Sequence, residues 1–285
     1  MAETADTAPE HAKRRIAAYK GYKDGLVEFY GNQVEVMTGY TKEELSQEKW
    51  TNLIFEEDRP KAKDAFVKAL KSDKVYNREY RIKKKNGNLA WIQEWSEILL
   101  DDTGDIDCVV GALIDITEDK KIEEARLRAE RLTGKYLIFS LAGEEYGFNI
   151  FDVREIIGAV PITPLPEAAS YLKGVIDLRG KIIPIMDLRL RLGLERAELS
   201  KHACIIVVEI PSPGGKVLLG VLTDSVTGVL FIQGTEIDKA PAAFRQYQLD
   251  YITGMAKTER GVVVLINMGR MFSEEEVAGL TKSAG

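Results

Sequence analysis

Cysteine and histidine are scarce, with two of each in 285 residues, which argues against a disulfide framework and against a clustered histidine metal centre. Cys108 and Cys204 lie in different halves of the chain. Cys108 keeps period-two phase with Val110, Ala112 and Ile114, and Cys204 opens an apolar strand, so both read as small buried hydrophobes. His11 sits in a polar leader and His202 beside a predicted strand, so a Ser-His-Asp triad is not expected within either half. Basic excess is also absent. With 39 Lys and Arg against 45 Asp and Glu, the net charge is -6, and no long basic stretch is present to neutralise a phosphate backbone, so nucleic acid is not an expected partner. Long apolar runs are missing too. CIIVVEI and KVLLGVL end in charge within about eight residues, whereas a spanning helix needs ~20, so no membrane insertion is expected. The opening MAETADTAPEHAKRR has no apolar core after its charges and does not read as a secretory signal; a cytoplasmic location is the expectation.

What is present is ordinary globular texture, 45% hydrophobic and 29% charged, in a chain long enough for two domains of ~100 to 150 residues. Residues 26–30 form a β-prone run after the turn signal Asp24-Gly25, so the first domain opens with a hairpin. Thr41-Lys-Glu-Glu44 has capping-box spacing. Ala62, Ala65, Phe66, Ala69 and Leu70 repeat at i, i+3, i+4, i+7 and i+8, which predicts an amphipathic helix that tolerates Pro60 in its first turn. Three strand-like runs follow at about 75–84, 89–100 and 106–116, divided by Asn86-Gly87 and Thr103-Gly104. Together these predict an α+β layer, with helices on one face of an antiparallel sheet and room for a small cavity.

The residues VEVMTGYTKEEL, EEDR, EYRIKKKNGNLAWIQEWSEIL and VVGALIDITEDKK, in that order, resemble a PAS sensor domain. The expected organisation is a polar leader at 1–15, a PAS-like domain at 16–117, a helical linker at 118–134 and a second domain at 135–285. Thr117 reads as the N-cap of the linker helix, with Glu118 and Asp119 suited to the positive end of its dipole. Ile122, Ala125, Ala129 and Leu132 are spaced three, four and three, a short seam that fits either packing on the chain's own sheet or a homodimer contact.

From Lys135 the chain breaks into short β-rich runs with Gly and Pro between them, which predicts closed antiparallel barrels. Ser273-Glu-Glu-Glu276 has the spacing to cap a final helix. YLIFSLAGEEYGFNI, then VREIIGAVPITPLPEAASYLKGVIDLRGKIIPIMDLRLRLGL, GVLTDSVTGVLFI and YITGMAKTERGVVVLINMGRMF, resemble a CheW-type chemotaxis coupling domain over nearly all of 135–280. The resemblance implies an all-β domain of two small five-stranded barrels, and a non-catalytic adaptor that couples methyl-accepting chemoreceptors to a chemotaxis histidine kinase at membrane-associated arrays.

It also implies site residues. Arg179 corresponds to the family arginine of the Asp177-Leu178-Arg179-Gly180 motif, where the family commonly has Asn in place of Asp177. Glu155 corresponds to a glutamate that pairs with that arginine or contributes to the receptor surface. An arginine fork suits a carboxylate, and Gly180 lets backbone approach closely. Val153, Ile156 and Ile157 fit apolar partner contact around Glu155, with burial in the barrel as the competing reading.

For the PAS-like half, the sequence between His11 and His202 offers no histidine to ligate haem, and no cysteine lies between Leu45 and Pro60 where a photoreceptor flavin would need one. Trp91 and Trp95 share a strand face. They could stack on a non-covalent flavin, making the chain a docked redox sensor, with core or dimer packing preferred and a small metabolite as a further option. The acidic run Glu56-Glu57-Asp58 reads as a solvated helix start, not an acid-base pair.

Overall fold

The computed structural model describes residues 14–166, 169–212, 215–241 and 249–282, so residues 1–13 of the leader, His11 among them, lie outside the described residues. The chain divides into two compact units, 1–125 and 126–285.

The first unit opens with β1 (Ile16–Gly21) and β2 (Val27–Tyr30), paired antiparallel around Asp24-Gly25, where the Asp24 carboxylate accepts the Leu26 amide at 2.9 Å. Four helices follow: α1 (Gln33–Thr38), α2 (Lys42–Ser46), α3 (Trp50–Leu53) and α4 (Arg59–Leu70). The capping box at α2 forms as its sequence requires, with the Glu44 amide donating to Thr41 Oγ1 at 3.2 Å and the Thr41 amide donating to Glu44 at 2.9 Å. Pro60 occupies the first turn of α4, where no intrahelical donor is lost. The strands β3 (Val75–Lys83), β4 (Leu89–Leu100) and β5 (Ile106–Asp115) complete an antiparallel sheet of order β2-β1-β5-β4-β3.

Alternation along these strands decides which residues meet the helices. Ala17 and Tyr19 of β1, Ala90 and Ile92 of β4 and Leu113 of β5 pack against Val34, Met37, Leu45, Trp50 and Ala62 in one core. Each fully buried aliphatic or aromatic side chain there is worth roughly 1.5–3 kcal/mol relative to exposure. Cys108 and Cys204 are both free and buried, as small hydrophobes should be.

The linker helix α5 (Thr117–Leu132) differs from expectation at its start. Thr117 is not its cap: the Asp115 carboxylate accepts the Thr117 amide at 3.0 Å, and the Thr117 hydroxyl instead accepts the Trp91 amide of β4 at 3.0 Å. Along the spaced seam, Ile122 and Ala125 are exposed while Ala129 and Leu132 are half-buried. The last turn belongs to the second unit. Arg128 donates to the carbonyls of Ile237 at 3.0 Å and of Asp238 and Thr253 at 3.4 Å, and the Thr133 hydroxyl accepts the Gly234 amide at 2.8 Å.

The second unit is almost entirely β. Its strands are β6 (Gly134–Leu141), β7 (Glu144–Asn149), β8 (Val153–Gly158), β9 (Leu172–Leu178), β10 (Lys181–Asp187), β11 (Cys204–Ser212), β12 (Gly215–Thr223), β13 (Ser225–Ile232), β14 (Ile237–Asp238), β15 (Ile252–Thr258) and β16 (Gly261–Ile266). A short helix α6 (Leu188–Arg191) follows β10, and α7 (Glu274–Lys282) ends the fold. Ser273 and Glu276 cap α7 reciprocally, the Glu276 amide donating to Ser273 Oγ at 3.1 Å and the Ser273 amide to Glu276 at 2.8 Å.

The all-β class expected for this half is present, in two sheets. One has five strands in the order β8-β11-β12-β10-β9, the other six in the order β13-β6-β7-β16-β15-β14, and the closed barrels expected from the sequence are not formed. Neither ladder closes on itself, and the β9 edge of the five-stranded sheet is partly covered by an antiparallel bridge between Thr163 and Val175. The sixth strand of the second sheet is the two-residue β14, paired on β15. A shared core joins the two sheets: Phe139 and Phe148 of the six-stranded sheet pack with Met186, Val208, Leu219 and Val221 of the five-stranded one.

Candidate functional site

In the second unit, β9 and β10 pair from Leu178↔Lys181 onward, leaving Arg179 and Gly180 as a two-residue hairpin loop. Both have positive φ, 55° at Arg179 and 80° at Gly180, the pattern of a type I′ turn. Arg179 therefore stands in the turn between the two strands and not within either. An Arg-Gly dipeptide is not a strong turn signal, and the left-handed conformation costs a non-glycine residue roughly 1 kcal/mol or more. The motif supplies a compensation, because the Asp177 carboxylate accepts the Gly180 amide at 2.7 Å and braces the loop. Glycine at 180 has a backbone reason, its positive φ.

From this turn Arg179 reaches across to β8, the far edge of the same sheet, and donates to Glu155 Oε2 at 2.9 Å. The side chains are 81% exposed for Arg179 and 29% for Glu155. The pair therefore links the two edges of the ladder, while most of the guanidinium stays available to solvent. At this exposure its own contribution to stability is under ~1 kcal/mol.

The apolar neighbours divide by strand phase. Val153 packs against the core shared by the two sheets and Ile157 against Ile183, Ile205 and Val207, so both are core contacts. Ile156 points the other way and is 44% exposed. Sequence reasoning passed over Phe151, which lies in the single 3-10 turn before β8 and is 85% exposed. A large aromatic between Asn149 and Val153 with no helical or strand partner phase was the available signal.

In the first unit, the structure corrects the reading of the tryptophans. Trp91 and Trp95 do share a face of β4, but it is the face opposite the helices, and Trp95 is 55% exposed. Neither lines the cavity of this unit. Trp91 instead lies under two cations, Lys120 at 5.2 Å and Arg81 at 5.7 Å. Neither core packing nor stacking on an enclosed flavin describes the pair. The acidic run is also more than a solvated helix start: the Asp58 carboxylate accepts the Arg81 amide at 2.8 Å and its Nε at 2.9 Å, and these bonds hold Asp58 below the usual carboxylate range.

The residues that do line the inner face include a buried polar network centred on Glu94. Arg78 and Glu94 are direct cross-strand partners on β3 and β4. Glu94 is 1% exposed. It accepts from the hydroxyls of Tyr19 at 2.6 Å, Tyr76 at 2.9 Å, Tyr80 at 2.5 Å and Ser96 at 3.2 Å, and from Arg78 Nε at 2.9 Å and Nη2 at 3.0 Å. Arg78 Nη1 donates to the Ala62 carbonyl at 2.6 Å, and Trp50 Nε1 to Tyr80 at 2.8 Å, so one carboxylate ties three strands to two helices. Burial and the adjacent carboxylate raise all three phenols, Tyr76 to about 12. The cluster forms the floor of a cavity of about 820 Å³. Among the described residues no group of His, Cys, Asp and Glu is arranged to hold a metal ion, and no helix is long and apolar enough to cross a membrane.

Comparison with known proteins addresses both halves. The family model for the CheW-like domain matches residues 135–276, and that for the PAS fold matches 27–113. The chemotaxis protein CheW of Rhizobium meliloti is 34% identical over 151 residues, covering 52% of this chain and 95% of the relative. The CheW of Klebsiella aerogenes is 30% identical over 154 residues, covering 54% and 90%. The crystal structure of the scaffolding protein TtCheW from Thermoanaerobacter tengcongensis aligns with a TM-score of 0.43 at 36% identity, over 50% of this chain and 94% of that one.

Proposed function

Because the chain belongs to the CheW family through its C-terminal half and carries a PAS fold before it, we propose that it is a non-catalytic adaptor joining chemoreceptors to a chemotaxis histidine kinase. The observation that carries this reading is the match to CheW relatives over 90% and 95% of their own length. In this reading the protein works in the cytoplasm at membrane-associated receptor arrays, and phosphotransfer belongs to the kinase. The PAS half supplies sensory input or a homodimer contact. A dimer is supported by the outer sheet face, where register places Ile16, Trp95, Leu99 and Val75 on one exposed apolar side, and by the exposed Ile122 of the linker helix.

The partner surface is assigned to Arg179 with Glu155, braced by Asp177 and Gly180, and to the exposed Ile156. Val153 and Ile157 hold β8 from the core side. Arg179→Glu is expected to weaken kinase or receptor association about tenfold at low salt, where charge effects are largest, without changing the melting temperature. The double reversal, Arg179→Glu with Glu155→Arg, should recover part of the loss, since residues in one network couple by ~0.5–3 kcal/mol. Binding isotherms at two ionic strengths read this out. Wild-type affinity in the single variant would remove Arg179 from the surface.

A further inference from the structure

The cavity of the PAS half carries a charge opposite to that of the chain as a whole. The protein is net -6, yet the cavity lining holds Lys23, Arg59, Lys63 and Arg78 against Glu94 and Asp105. Arg78 and Glu94 cancel at the floor, and Glu94 accepts from Tyr19, Tyr76, Tyr80, Ser96 and Arg78, so the floor presents a neutral, internally satisfied surface. The excess lies at the mouth. Lys23, Arg59 and Lys63 are exposed, whereas Trp50 and Ile54 behind them are buried. Lys23 has a carboxylate partner, Asp101 at 3.5 Å. Arg59 spends its donors on the uncharged carbonyls of Ile54 at 2.9 Å and Asn52 at 3.0 Å, which leaves its charge unneutralised. Lys63 makes no ion pair among the described residues. Between mouth and floor the walls are apolar, built from Val27, Trp50, Ile54, Phe66 and Val109.

We propose that this cavity binds a monoanionic amphiphile, a carboxylate on an apolar body, with the head group at Arg59 and Lys63 and the body against Trp50 and Phe66. The volume of about 820 Å³ lies within the range of small-molecule sites. A buried head group would have to compete with Glu94 for its six internal donors or meet that carboxylate unscreened, so the anion stays at the mouth. A cationic amphiphile would place like charge against Arg59 and Lys63. The proposal rests on the reading that the PAS half takes sensory input, and it names the chemistry of that input.

The test uses the full chain and three probes of equal length: decanoate, decanol and decylamine, each below the concentration at which it self-associates. Calorimetric titration should show saturable binding of decanoate, with decanol weaker by about tenfold and decylamine weaker still. Lys63→Glu, a change at an exposed helix position, should weaken decanoate about five- to tenfold and leave decanol unchanged. Equal affinity for decanoate and decanol would overturn the proposal, as would decanoate binding indifferent to Lys63→Glu, or no saturable binding. Kinase and receptor association is measured on the same preparation without any probe. Its absence would overturn the coupling function independently of the cavity result, whereas loss of the decanoate result alone would overturn only the ligand assignment.

Discussion

Replacing Glu94 with leucine is expected to destabilise the PAS half by about 3–5 kcal/mol, a large share of the ~5–15 kcal/mol that typically holds a domain together. The substitution leaves the Arg78 guanidinium buried without its counter-charge and removes the shared acceptor of Tyr19, Tyr76, Tyr80 and Ser96. Arg78→Leu together with Glu94→Leu should be less damaging than the single change, because no unpaired charge remains. Thermal melts of the full chain would show the loss as a lowered transition for the PAS half. An unchanged melt in Glu94→Leu would mean the network contributes nothing to stability. The same network sets an alkaline limit. Tyr76 is raised from 10 to about 12 by burial and by Glu94, so its folded form favours the protonated phenol. That contribution is fully present below pH 10 and is lost as pH rises from 10 through about 12, which fluorescence-monitored unfolding across that interval can follow.

A second large effect is expected at Gly234. A Cβ there would stand 1.9 Å from the Ala129 carbonyl oxygen, a backbone atom that cannot swing aside as a side-chain tip would. Gly234→Val must therefore lift the last turn of α5 off the second unit, breaking the Arg128 bonds to Ile237, Asp238 and Thr253 and the contact of Leu132 with the core of the six-stranded sheet. The cost should be about 1–3 kcal/mol in denaturant unfolding of the C-terminal half. A fragment beginning at residue 126 should likewise be more stable than one beginning at 133. Equal stability of the two fragments would show that the helix end is an ornament to this domain.

The contrast between these residues explains what could be read from the chain in advance. Strand runs placed at 75–84, 89–100 and 106–116 match Val75–Lys83, Leu89–Leu100 and Ile106–Asp115 closely, because period-two alternation and the Asn86-Gly87 and Thr103-Gly104 turns fix both ends locally. The capping boxes at Thr41 and Ser273 are equally local. The buried cluster was within reach but missed. Arg78 falls in phase with Tyr76 and Tyr80 on β3, and Glu94 in phase with Ile92 and Ser96 on β4, so opposite charges on two inner faces announced a buried pair. The tryptophans drew attention by size, yet their phase was the outer one. Arg179 and the unclosed ladders depend on contacts far apart in sequence: the turn needs Asp177 to brace it, and Glu155 lies 24 residues away. No local pattern encodes whether a ladder closes, and the PAS cavity arises only when β1, α3, α4 and β5 meet.

The most direct test of the coupling function is reconstitution. Purified chain is combined with a chemotaxis histidine kinase and vesicles bearing a chemoreceptor, and kinase autophosphorylation is followed with and without receptor ligand. The adaptor account predicts that receptor ligand changes kinase activity only when the chain is present, and that Arg179→Glu blunts the response at unchanged protein stability. Receptor control of the kinase that is identical with and without the chain would contradict it.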